Sequence, residues 1–139
     1  MRRDPLQVLL RLRDAAMNEA RRELADGLRR EREGHRRVLE HGQAMLREQA
    51  DAGAADAVDF ALWLPRAREE ATRLGAALRA EKDRVMRLQQ ALVARRTEVE
   101  TVAAALTQRR NADALIRRRA EQAIMDEAAS RLRGDPLLE

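Results

Sequence analysis

Apolar residues recur along this chain at alternating intervals of three and four. Stepping that way from Leu64 gives 18 positions up to Ala123, of which fourteen are apolar: Leu64, Ala67, Ala71, Leu74, Leu78, Val85, Leu88, Leu92, Val99, Val102, Leu106, Ile116, Ala120 and Ala123. Glu81, Arg95, Arg109 and Asp113 interrupt the series. The chain's 45% apolar content would place about eight apolar residues there by chance. A seam repeating every seven residues predicts a long helix in a left-handed supercoil. The first third is less regular. Leu24, Leu28, Val38 and Met45 keep a seven-residue register, with Glu31, His35, Gly42 and Gln49 on the same seam and Leu39 and Leu46 beside it. Before Leu24 the apolar face passes through Leu6, Leu9, Ala16 and Ala20.

Glycine and proline divide the pattern. Asp4-Pro5 supplies an N-cap side chain followed by proline at the first helical position. Gly134-Asp135-Pro136 supplies a stop. Between them, Asp51-Ala52-Gly53-Ala54-Ala55-Asp56 lacks any large apolar residue and predicts a turn, with Asp56 and Asp59 capping the second helix. The expected fold is all-α: helices over 5–50 and 57–133, a turn at 51–56 and a short tail at 134–139. Together they form one antiparallel coiled-coil hairpin over residues 1–139. Pro65 lies past the first turn of the second helix and removes a hydrogen bond to the Ala61 carbonyl. A kink is expected there in preference to a restart of the helix. Glu33–Arg37, Glu69–Arg73 and Asp83–Arg87 have favourable four-residue spacing on the outside.

The unequal helix lengths carry a further expectation. With residue 50 meeting residue 57, Pro5 would lie beside roughly residue 102, and residues 103–133 would project past the first helix. That overhang keeps an apolar set in Leu106, Leu115, Ile116, Ala120, Ile124, Ala128 and Leu132. A lone helix cannot bury such a face, so a partner or self-association is implied.

Composition narrows the class. Charged residues are 37% of the chain and aromatics 1%, namely Phe60 and Trp63. That alphabet belongs to long helices and coiled coils and argues against sheet-based enzymes. With no cysteine there is neither a disulfide frame nor a thiolate metal site. No apolar run reaches the length of a membrane span, and the charged N-terminus is unlike a signal peptide, so a cytoplasmic protein is expected. The net charge is +4, and 27 of the 28 basic residues are arginine, a bias that genome composition alone suffices to produce.

Candidate chemistry is sparse. His35 and His41 lie six apart, which predicts one seam histidine and one solvent histidine rather than a zinc pair. Gly27 and Gly34 lie inside a helix and form no phosphate loop. Many carboxylates without an enclosed pocket argue against catalysis, so no catalytic, cofactor or metal residue and no small-molecule substrate is expected. Arg117-Arg118-Arg119, with Arg109 and Arg110 two turns earlier, is the densest basic run. It suits a solvated face or an acidic protein partner. The lack of nearby aromatics argues against single-stranded nucleic acid, and no basic region precedes a zipper to read a duplex. Phe60 and Trp63 either fold over the turn or stand as interface anchors.

Leu9-Leu10-Arg11-Leu12-Arg13 and Glu19-Ala20-Arg21-Arg22-Glu23-Leu24 resemble the opening of the FliJ family of flagellar export proteins. The stretch from Arg119 to Arg131, above all Met125-Asp126-Glu127, resembles that family's end. The resemblance covers nearly the whole chain, and the stalk proteins of injectisome type III secretion share the plan. It implies a cytoplasmic, non-enzymatic stalk and adaptor peripherally associated with the inner-membrane export apparatus. Its paired termini would enter the export ATPase hexamer, and it would also contact the cytoplasmic domain of the export gate and the export chaperones. The ring contact would then draw on Leu106, Arg109, Arg110, Leu115, Ile116, Arg117, Arg118, Arg119 and Ile124. The gate contact would draw on Phe60, Trp63 and Leu74. The family's first-helix tyrosines have no counterpart, since Ala44, Met45 and Glu48 occupy that region. A structural or nucleic-acid-binding coiled coil is the alternative from outside the family.

Overall fold

The computed structural model describes residues 2–53 and 57–134. Among them the chain is all-helical, with α1 spanning Pro5–Asp51 and α2 spanning Ala57–Arg133 packed against each other and no strand. The helix bounds fall within a residue of those predicted. The expected Asp56 cap and the tail beyond Gly134 lie outside the described residues.

Local chemistry explains the ends. The Leu6 amide donates to Asp4 Oδ1 at 3.0 Å, and the Val8 amide donates to the Asp4 carbonyl at 3.1 Å. Asp4 is therefore the N-cap and Pro5 the first helical residue. At the far end the Gly134 amide donates to the Ser130 carbonyl at 3.0 Å, and no described glycine takes a positive φ. The stop at Gly134 thus works without a left-handed residue. α2 continues through Pro65 rather than restarting there.

The chain divides into two compact units, Asp14–Arg96 and Met1–Arg13 with Thr97–Glu139. In the first, the α2 seam is sheltered at every step from Leu64 to Leu92, with Ala67, Leu78 and Val85 buried. Arg95, an interruption in the pattern, is exposed. In the second unit Val99 is half-buried and Val102 and Leu106 are buried.

The α1 register differs from the sequence expectation by one position in each heptad. Leu24, Glu31, Val38 and Met45 are sheltered as expected, but Leu28, His35, Gly42 and Gln49 are exposed. Their places are taken by Gly27, Gly34 and His41, which continue the seven-residue series from buried Ala20. A Cβ on Gly27 would stand 2.8 Å from Leu88 Cδ1 and 3.5 Å from Val85 Cγ2. One on Gly34 would stand 3.2 Å from Leu78 Cδ1. Small residues on α1 therefore receive large ones from α2. The histidine roles are the reverse of the expected assignment at His35. That ring is exposed beside Glu31, 3.7 Å away, while His41 Nε2–H donates to the Ala67 carbonyl at 2.8 Å.

Polar contacts flank this seam. Glu33 accepts from Arg36 and from Arg37 at 3.3 Å, and these guanidinium hydrogen bonds, Arg36 foremost, hold its carboxyl below the usual carboxylate range. Arg73 pairs with Glu70 at 3.1 Å, three residues away, instead of with Glu69. In the other unit Arg13 reaches Glu98 at 3.3 Å, and Arg109 Nη1 donates to Asp4 Oδ1 at 2.9 Å. Asp4, the residue before Pro5, is thus reached by the side chain of Arg109, seven positions past the expected residue 102. Glu81 Oε2 is buried on the seam with no hydrogen-bond partner.

The two kinds of glycine site should respond oppositely to substitution. Gly42→Ala, at an exposed helical site with nothing within 4 Å, should stabilise by about 0.5–1 kcal/mol, whereas Gly27→Leu should cost about 1–3 kcal/mol through overpacking. Chemical denaturation monitored by helicity measures both. In the same assay Glu81→Leu should stabilise by about 1–3 kcal/mol, because it removes an unsatisfied buried oxygen from an apolar seam.

Candidate interaction surfaces on the second helix

One candidate surface lies near the start of α2. Phe60 and Trp63 sit three apart, so both project from the same side of the first turns. Their ring centroids are 5.7 Å apart with planes inclined by 36°, and both residues are half-buried. They line a shallow concavity of about 370 Å³ with Glu48, Asp51, Ala52 and Asp59. The pair thus packs upon itself and still faces open space. Three carboxylates around two aromatic rings form a surface suited to a cationic side chain. Sequence reasoning misses this acidic rim, whose only signal is Asp59 next to Phe60. Leu74 is half-buried, and it lines a different concavity with Arg29, Arg30, Glu33, Gly34, Arg37, Ala77 and Glu81. The structure therefore does not bring Leu74 together with Phe60 and Trp63.

The other candidate surface is the C-terminal part of α2. Leu106 is buried to 5% exposure, so it holds the helices together instead of offering surface. Arg109 is engaged by Asp4. From Thr107 to Gly134 every residue but Ala114 is exposed. Ile116 and Ile124 stand 63% and 67% open, and Leu115, Met125 and Leu132 are exposed too. Ile116, Ala120, Ala123 and Ile124 share one helical face by their spacing. Arg117 and Arg119 border that face on opposite sides. Among the described residues no ion pair involves Arg110, Arg117, Arg118 or Arg119, whereas Arg131 pairs with Glu127 at 2.6 Å and Gln122 donates to Asp126 at 2.9 Å. The predicted ring residues thus separate into Leu106 and Arg109, used within the chain, and an exposed apolar-basic set beyond them.

A third exposed patch lies outside the residues that the sequence pattern singles out. Met86 and Val93, seven apart on the outer side of α2, line a shallow apolar surface with Gln89, Gln90 and Ala94.

Among the described residues no group of histidine and carboxylate side chains has the arrangement of a metal site. Among them, too, no helix is long and apolar enough to cross a membrane.

The aromatic pair admits a direct test, because Trp63 is the only tryptophan in the chain. Phe60→Ala should red-shift Trp63 emission by exposing the indole, with helicity by circular dichroism unchanged. An unshifted spectrum would mean that Phe60 does not shield the ring.

Comparison with protein-family models, with curated proteins and with solved structures finds no match for this chain.

Proposed function

We propose that this chain is a non-enzymatic stalk and adaptor of a flagellar-type protein export apparatus, built as an antiparallel coiled-coil hairpin whose second helix overhangs the first. The hairpin reading is supported by the order of contacts. Within Asp14–Arg96, Gly27 meets Val85 and Leu88, Gly34 meets Leu78, and His41 meets Ala67. Contacts climb one helix as they descend the other. In the other unit, Asp4 with Arg109 and Arg13 with Glu98 follow the same rule.

One observation carries the functional reading: some 25 residues of regular helix after Arg109 present apolar and basic side chains to solvent. An isolated helix of that character is marginal in water and gains stability when another surface covers it. The resemblance of the opening and closing segments to FliJ-like proteins supplies the covering surface. A ring-shaped export ATPase would receive the overhang, with Leu115, Ile116 and Ile124 against apolar lining and Arg110, Arg117, Arg118 and Arg119 against carboxylates. The Phe60–Trp63 concavity, with its acidic rim, is the corresponding candidate for the cytoplasmic domain of the export gate. Export chaperones complete the expected partners, and the protein would act in the cytoplasm at the inner-membrane apparatus.

Titrating the chain into a flagellar-type export ATPase should raise its hydrolysis rate. A chain ended after Arg110, which keeps Leu106 and the Asp4–Arg109 pair, should not raise it. Equal stimulation by both chains, or by neither while both are helical, would reject the stalk reading.

A further inference from the structure

The same exposed stretch carries a charge pattern that matches itself when reversed. We propose that it pairs antiparallel with a second copy of this chain, about a two-fold axis level with Gln122 along the helix. This goes beyond the stalk reading and does not rest on it, since it uses only the exposure and sequence of residues 113–131.

The register is set by the residues. With the axis at the level of Gln122, Ile116 lies opposite Ala128 of the other copy and Ala120 opposite Ile124, so each branched side chain meets a small one. Small residues let two helices approach closely enough for such packing. Around this seam, Arg117 falls opposite Glu127, Arg119 beside Asp126 and Asp113 opposite Arg131. The symmetry repeats every pair, as an isologous contact requires. A parallel pairing would instead set Arg117, Arg118 and Arg119 against their own copies, a repulsive arrangement of the kind that rejects wrong registers. Arg117 and Arg119 have no ion pair among the described residues. Asp126 and Glu127 are engaged only by exposed neighbours one turn away. At about 1.5 Å per residue, residues 113–131 give roughly 28 Å of paired helix, enough for a weak, reversible dimer rather than an obligate one.

Such a dimer would occupy the face proposed for the ATPase ring, so self-pairing and ring entry would exclude each other. Stored protein would hold its apolar stretch covered, and dilution or capture by a ring would uncover it.

Sedimentation of the full chain over a wide concentration range tests this. The wild type should move from monomer to dimer as concentration rises. The pair Arg117→Glu with Arg119→Glu should weaken dimerisation about thirtyfold or more, and so should Asp126→Arg with Glu127→Arg. Each variant alone meets like charge in its own homodimer. An equimolar mixture of the two meets opposite charge at every site and should dimerise as the wild type does, a recovery that misfolding cannot imitate. A wild type that stays monomeric, single variants that dimerise unchanged, or a mixture that stays monomeric would each overturn the proposal. None of these results decides ATPase stimulation, which is measured separately.

Discussion

The closeness of α1 to α2 depends on small side chains at one heptad position. Gly27 and Gly34 leave room that Val85, Leu88 and Leu78 fill, and Ala20 is buried at the same heptad position. Two helices with so few aromatics have little apolar area to bury, so each remaining methyl group has to be brought into contact at short range. Glycine inside a helix costs about 1 kcal/mol relative to alanine. Here that cost is offset by the approach it permits. Glu81, with its unsatisfied oxygen, marks a place where the same seam is not optimised for stability.

This also explains which features can be read from the residues alone. The α2 seam is written in leucine and valine, and its register is plain from Leu64 to Leu106. On α1 the facing positions are Gly27, Gly34 and His41, which give no hydrophobic signal. Leu28 draws the expected register one residue aside, and with it the roles of His35 and His41. The exposure from Thr107 onward agrees with the unequal helix lengths read from the glycine and proline signals. The reach of Arg109 to Asp4 is not legible, since it depends on a long side chain and on the exact stagger of the helices. Nor is the separation of Leu74 from the aromatic pair, which results from the ten residues of helix between Trp63 and Leu74.

The candidate surfaces differ in kind. The aromatic concavity combines two packed rings with three exposed carboxylates, so its apolar part is already organised before any partner arrives. The C-terminal stretch offers a longer, regular face of alternating charge and methyl groups, on which register rather than pocket shape decides what fits. Arginine dominates its basic side, and a guanidinium keeps both its charge and its planar donor geometry wherever it is placed.

Asp4 Oδ1 accepts from the Leu6 amide and from Arg109 at once. Helix initiation and a tether between the two helices are thus borne by a single oxygen atom. Fraying of the first turn and release of Arg109 become one cooperative opening, and amide protons at the start of α1 should exchange with solvent as a group tied to a residue more than a hundred positions away. The terminal turn is in effect a latch, and whatever draws Arg109 aside also loosens the beginning of the chain.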